Sequence, residues 1–147
     1  HRLKATESNQ SVEILKRYTQ LPTVDCYPSQ LNQVLMNILA NAIDALAETP
    51  DPQIEIATAV KESAVDQSLL AVIKIKDNGP GIPTDIQSQI LNPFFTTKPV
   101  GKGTGMGMSI SYQIITEKHS GNLTFTSESG QGTEFVIEIP VRQPEAT

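Results

Sequence analysis

The strongest periodic signal along the chain is helical. Leu31, Val34, Leu35, Ile38, Leu39, Ala42, Ile43 and Leu46 recur at i, i+3, i+4, i+7 spacing, which predicts a helix with one apolar face. Pro28 suits its first position, and Thr49-Pro50-Asp51-Pro52 ends it. Gln30, Gln33, Asn37, Asn41 and Asp44 gather on another face of that helix. A period of two follows. Ile54, Ile56 and Thr58, then Leu69, Ala71, Ile73 and Ile75, alternate with polar residues on either side of a polar stretch at 61–68, as in a hairpin. The second of these segments runs into Asp77-Asn78-Gly79-Pro80-Gly81, a break made of turn residues. Near the end, residues 123–127 and 133–139 flank the turn Ser129-Gly130-Gln131-Gly132. In the last segment Thr133, Phe135, Ile137 and Ile139 face one way and Glu134 and Glu138 the other.

Weaker patterns fill the gaps. Residues 1–10 are polar and read as a linker from an upstream domain. Val12-Glu13-Ile14-Leu15-Lys16 alternates as a short strand, and Val24-Asp25-Cys26 reads as a second extended piece. Ile82-Pro83 opens a short helix containing Ile86 and Ile90. Residues 92–107 show no period and are rich in Gly and Pro toward their end. A loop of that length inside a compact domain is usually functional. A further helix is expected from about Gly107 to Lys118, ended by Ser120-Gly121. The order β-β-α-β-β-loop-α-β-β predicts an α+β two-layer sandwich, a mixed sheet covered on one face by about three helices. Its expected limits are 11–141, with a tail at 142–147.

Composition narrows the partners. The chain of 147 residues suits one domain. Eleven basic against 16 acidic residues leave a net charge of -5, which argues against nucleic acid and against direct membrane contact. Anionic phosphate must therefore be held locally, by backbone dipoles and a few cations. Cys26 is the single cysteine, so no internal disulfide forms, as expected in a reducing compartment. No apolar run approaches the roughly 20 residues of a membrane span. A cytoplasmic domain, monomeric in isolation and cut from a longer polypeptide, is the expectation.

Four constellations could carry chemistry. Gly101-Lys102-Gly103-Thr104-Gly105-Met106-Gly107-Met108-Ser109 opens onto a helix. Glycine permits close backbone approach to a ligand, and a helix start offers unpaired N–H groups and a positive dipole end to phosphate. Lys98 and Lys102 add charge. The bland alternative is a flexible surface loop. The spacing matches neither Gly-x4-Gly-Lys-Ser/Thr nor Gly-x-Gly-x-x-Gly. Asn37 and Asn41 share a helical face, where amide oxygens can ligate Mg²⁺ together with phosphate and water, or simply line a solvated surface. Asp77, at a strand end before two glycines, can accept a hydrogen bond from an exocyclic amine such as that of adenine, or can serve only as a turn residue. Phe94-Phe95 are core anchors, a docking surface, or one of each. His119, near a helix C-terminus, reads as a cap.

Taken together, these residues resemble a family. Gln33-Val34-Leu35-Met36-Asn37-Ile38-Leu39-Ala40-Asn41-Ala42 looks like the N box of sensor histidine kinases. Asp77-Asn78-Gly79-Pro80-Gly81-Ile82 resembles the first glycine box and Pro93-Phe94-Phe95-Thr96-Thr97-Lys98 the F box. Gly103-Thr104-Gly105-Met106-Gly107-Met108-Ser109-Ile110 resembles the second glycine box, and Gly130-Gln131-Gly132-Thr133-Glu134-Phe135 the last glycine motif. All five stand in the family's order over residues 11–140, nearest to the subgroup of nitrogen-regulation sensor kinases. The resemblance implies the Bergerat ATP-binding fold. It also implies that Asn41 ligates Mg²⁺ with Asn37 assisting, and that Asp77 binds the adenine amine with Gly79, Gly81, Ile82 and Thr133 beside it. Residues 94–107 become an ATP lid, in which Phe95, Thr97, Lys98, Lys102, Gly103, Thr104, Gly105, Met106 and Gly107 approach the nucleotide, together with Met108 just beyond it.

The departures are few. Met106 and Met108 stand where the family usually has Leu, nearly conserving volume. Asp44, counted among the nucleotide-facing residues, stands where many relatives carry Lys or His. Related ATPases place a Glu base at the position of Asn37, and a neutral amide cannot take a proton from water. The resemblance therefore implies phosphotransfer to a histidine on a separate dimerisation domain, and from there to a response regulator receiver domain. No His box accompanies His1, so the chain is expected to hold half of that enzyme. The rivals are an ATPase or serine kinase of the same fold, and a non-catalytic nucleotide-sensing module.

Overall fold

The structure, a computed structural model, describes residues 2–4, 11–90 and 106–142. Its elements are β1 (Arg2–Lys4), β2 (Ser11–Arg17), α1 (Pro28–Ala45), β3 (Gln53–Glu62), β4 (Leu69–Asp77), α2 (Thr84–Gln87), α3 (Met106–Gln113), β5 (Asn122–Glu128) and β6 (Gly132–Pro140); α3 runs on into a π-helical turn, Ile114–Lys118. The strands form one sheet in the order β1-β2-β3-β4-β6-β5. β2 and β3 are parallel and α1 connects them. Every other neighbouring pair is antiparallel. This is the mixed sheet and α+β sandwich that the periodicities predict.

Register turns the alternating sequence into rows across the sheet, because successive side chains on a strand point to opposite faces. Ile56, Ile75, Phe135 and Phe125 stand opposite one another on four adjacent strands, and Thr58, Ile73, Ile137 and Leu123 form the next row. Onto this face α1 lays Val34, Ile38 and Ala42, followed by Leu46, and the second helix lays Met108, Ile114 and Ile115, all in one apolar cluster with the sheet. Ile38 and Ile115 are fully buried, and truncating either to Ala would cost about 2–5 kcal/mol. The other face carries Glu55, Lys76 and Glu134 in a row, with ion pairs Arg17–Glu55 and Lys61–Glu138. α2 is a single turn without a buried residue, so two of the three helices make the covering layer.

Two expectations are corrected. The first ten residues are not all linker, since Arg2–Lys4 pairs antiparallel with β2; a short, charged strand is a common way to finish a sheet edge. Val24-Asp25-Cys26 is not a strand. It has one backbone bond to the sheet's end, Asp25 N–H to the Val141 carbonyl at 2.8 Å, and Tyr27 already caps α1. The predicted pair of strands before the helix exists, but it is made by residues 2–4 and 11–17.

His119 does cap a helix end, and does more. Its ring is fully buried. Nδ1–H donates to the Ile114 carbonyl at 3.0 Å, and Nε2 accepts the Tyr27 N–H at 3.0 Å, which assigns the neutral Nδ1–H tautomer. One side chain thus ties the end of the π turn to the start of α1.

Candidate nucleotide site

Where the apolar rows end, a polar row begins. Ile54 stands opposite Asp77. One position beyond the Lys76–Glu134 pair, Asp77 meets Thr133, and Thr133 pairs with Ser127. Asp77, Thr133 and Ser127 therefore lie on three adjacent strands and point to the helix-covered face. Asp77 is 6% exposed and Thr133 5%. The Asp77 carboxylate accepts the Gly79 N–H at 2.9 Å and the Thr133 N–H. Burial pushes its pKa above the ordinary 3.8, because desolvation outweighs these two bonds.

Glycines let the chain close around the row. A Cβ on Gly132, where φ is +101°, would stand 2.0 Å from the Asp77 carbonyl oxygen, and one on Gly81, where φ is +82°, 2.4 Å from the Glu128 carbonyl oxygen. The two turns are also stitched by Gly130 N–H to the Pro80 carbonyl at 2.9 Å and Ile82 N–H to Ser127 Oγ at 2.7 Å. Asn78 holds the approach in place. Its Oδ1 accepts the Gln53 N–H at 2.8 Å, and its Nδ2 donates to the Asp51 carbonyl at 3.0 Å.

The helix face predicted to meet the phosphates lies alongside. A cleft of about 800 Å³ runs between the end of α1, with Asp44, Ala45 and Glu48, and the turn carrying Asn78, Gly79 and Pro80. The Ala45 carbonyl comes within 3.2 Å of where a Gly79 Cβ would be. Asn41 and Asn37 stand one and two turns back along α1, about 6 and 12 Å at 1.5 Å per residue. Asn37 Nδ2 donates to Ser111 Oγ on α3 at 3.3 Å, which links the helix face to the segment following residues 92–105. Met108 is 6% exposed within the apolar cluster, so its side chain serves the core and only its backbone could face phosphate. Met106 and Gly107 begin α3. Phe95, Thr97, Lys98, Lys102, Gly103, Thr104 and Gly105 lie outside the described residues. Among the described residues no three His, Cys, Asp or Glu side chains could hold a metal ion together, and no helix is long and apolar enough to cross a membrane.

A two-layer sandwich whose sheet ends in a buried carboxylate beside a helix terminus agrees with the ATP-binding fold that the sequence motifs imply. The chain belongs to the family of histidine kinase-, DNA gyrase B- and HSP90-like ATPases, whose profile matches residues 26–143. It is similar to sporulation kinase E of Bacillus subtilis, at 42% identity over 84% of this chain and 15% of that protein. It is also similar to the sensory histidine kinase/phosphatase NtrB of Klebsiella oxytoca, at 36% identity over 97% of this chain and 41% of that protein. The catalytic domain of histidine kinase ThkA, in a nucleotide-free form, superposes with a TM-score of 0.72 at 29% identity, over 89% of this chain and 80% of that one. The chain thus spans less than half the length of these two kinases.

Sequence reasoning missed Ser127, Ser111 and the Tyr27 contact of His119. Only Ser127 left a signal. The short turn between β5 and β6 sets Glu128 opposite Gly132 and so Ser127 opposite Thr133. The other two depend on how the helices pack, which no local pattern encodes.

Proposed function

We propose that this chain binds Mg·ATP and passes the γ-phosphoryl group to a histidine on a separate dimerisation domain, from which a response regulator receiver domain takes it. The observation that carries this reading is the buried Asp77 carboxylate, set beside the cleft at the end of α1 without a cationic partner among the described residues. Such a group keeps acceptor capacity for a base amine. Asn41 would hold Mg²⁺ through its amide oxygen, with Asn37 assisting. A site with few protein ligands suits this ion, which keeps several waters and takes phosphate oxygens. When bound, Mg²⁺ offsets negative charge on the phosphates.

Transfer is favoured over hydrolysis because the Asn37 amide cannot serve as a base toward water. The domain's work is then positioning and electrostatic stabilisation, and the attacking imidazole comes from its partner. An ATP-dependent domain of this kind works where ATP is plentiful, in the cytoplasm. The test mixes this chain with ATP and a separately made histidine-bearing domain. Acid-labile phosphate on that partner is the expected result. Release of inorganic phosphate without transfer would make the protein an ATPase instead.

A further inference from the structure

We propose that the free edge of β5 is a docking site for an extended segment of a partner protein, basic along one side, which joins the sheet as a further strand. This site does not depend on the nucleotide reading above.

The two edges of the sheet are finished differently. One is closed by β1, three residues long and carrying Arg2 and Lys4. The other is closed by β5, whose seven residues contain no Lys, Arg or Pro and reach their single charge only at Glu128. Natural edges are usually blunted by such residues, because a row of unpaired N–H and C=O groups is a template for another chain. One end of β5 is covered. Gln87 Nε2 donates to the Ser127 carbonyl at 3.3 Å, so that carbonyl points away from β6. In an antiparallel ladder, every second residue sends both its N–H and its C=O away from the neighbouring strand. Leu123 and Phe125 share that set with Ser127, and their outward backbone groups have no hydrogen-bond partner among the described residues. Phe125 packs on Phe135 with ring centroids 5.5 Å apart, yet is only partly buried. It keeps apolar surface for a side chain of an added strand on the helix-covered face.

Charge decides the occupant. Strands lie about 4.8 Å apart, so an added strand stands about 5 Å from β5, about 10 Å from β6 and about 14 Å from β4. On the outer face the two nearer strands carry Glu128, Glu134 and Glu138 and no Lys or Arg. Lys61 on β3 pairs with Glu138, whereas Glu128 and Glu134 make no ion pair among the described residues. Lys74 and Lys76 are on β4, well beyond the screening length of about 8 Å at physiological salt. Long basic side chains on the outer face of an added strand therefore meet a negative border. A second copy of β5 would bring the same glutamates and is disfavoured.

The test titrates the isotope-labelled chain with three synthetic peptides, followed by amide NMR. They are Lys-Val-Lys-Val-Lys-Val-Lys, its counterpart with Glu in place of Lys, and the basic peptide with its valine nitrogens methylated. The methylated peptide keeps the charge but cannot bond to β5 while its lysines face outward. With the basic peptide, the Leu123 and Phe125 amides should shift and exchange more slowly. The acidic peptide should bind at least about tenfold more weakly, the range of two or three exposed ion pairs, and the methylated one no better. Thr124→Lys combined with Thr126→Lys, at exposed outer-face positions, should leave the melting temperature unchanged and weaken the basic peptide by about the same factor. Equal binding of the methylated peptide would mean charge attraction alone and would overturn the proposal, as would no response or shifts confined to residues away from β5. A dimer of the unliganded chain in sedimentation, dispersed by the two lysines, would assign the edge to a second copy and overturn it equally. If the substituted chain does not fold by circular dichroism, the three peptides on the unsubstituted chain decide.

Discussion

Replacing Asp77 by Asn separates binding from stability at the most buried charge of the site. The carboxylate already takes two backbone N–H donors, from Gly79 at 2.9 Å and from Thr133, and still has lone pairs for a base amine. An amide of the same shape has one acceptor oxygen. Turned to satisfy a backbone donor, it presents its own NH₂ to the amine. The interaction lost is a hydrogen bond to a charged acceptor, about 1.5–3 kcal/mol, which makes ATP binding roughly 10- to 100-fold weaker. Stability moves differently. One backbone donor loses part of its partner, at about 1 kcal/mol. Against that, a desolvated charge is removed, and the raised pKa shows that this charge opposes folding.

The two effects oppose one another at neutral pH, so Tm should shift by less than about 5 °C, the shift that about 1 kcal/mol unopposed would give. Their pH dependence has a definite sign. A carboxyl group whose folded pKa is raised is most compatible with the fold while protonated. The stability of the unsubstituted chain relative to Asp77→Asn should therefore fall as pH rises through the window that begins at the ordinary value of 3.8. Calorimetry with Mg·ATP and melting curves across that window measure both quantities. A variant that binds ATP within about twofold of the original, against the loss expected of a charged hydrogen bond, would refute the assignment of Asp77. A stability difference that grows with pH would refute the account of its burial.

Three further outcomes follow from the same geometry. Asn41→Ala should weaken ATP about tenfold with Mg²⁺ present and much less in excess chelator; equal losses in calorimetry would mean that Asn41 does not serve the metal. Gly132→Ala, whose Cβ would lie 2.0 Å from the Asp77 carbonyl, should destabilise by at least about 2 kcal/mol in urea. Gly130→Ala, with φ of +79° but nothing within 4 Å, should cost only about 1 kcal/mol, and similar losses at the two positions would contradict the packing argument. His119→Ala removes a buried ring and orphans the Tyr27 N–H, so urea melts should show a loss of about 3 kcal/mol. A loss below about 1 kcal/mol, no more than one ordinary hydrogen bond, would show that the two helix ends are joined by other means.

The core was legible in the sequence because burial has a period. Val34, Ile38, Ala42 and Leu46 repeat with the helical turn, and Phe135, Ile137 and Ile139 alternate as strands do, so each element announced both its type and its inner face. Asp77, Asn37 and Asn41 stood out as candidates because polar residues lie at a strand end and along one helix face. Residues 2–4 and 24–26 were read the wrong way round because pairing at a sheet edge is decided by which backbone finds a neighbour, and neither segment carries a hydrophobic alternation to tell them apart. The Ser127–Thr133 contact was hidden for another reason. It is created by register between two strands, and register is a tertiary quantity even where each strand is obvious.

The polar row shows how the sheet divides its work. Behind it, Ile54, Ile75, Phe135, Ile137 and Leu123 are all buried in one cluster and carry the hydrophobic gain. In the row itself a carboxylate is held at 6% exposure by two N–H groups, while the ion pairs among the described residues, Arg17–Glu55 and Lys61–Glu138, lie elsewhere. A group buried on those terms works against the fold at neutral pH. Folding alone does not call for an ionised side chain there, since an isosteric neutral residue would relieve the desolvation. On the proposed function, binding supplies the reason, because a base amine that donated to Asp77 would return part of what the carboxylate lost on leaving water. Selection of this chain for thermal stability alone should therefore hold Asp77 only weakly against Asn, and on the proposed reading nucleotide affinity would be lost wherever Asn replaces it.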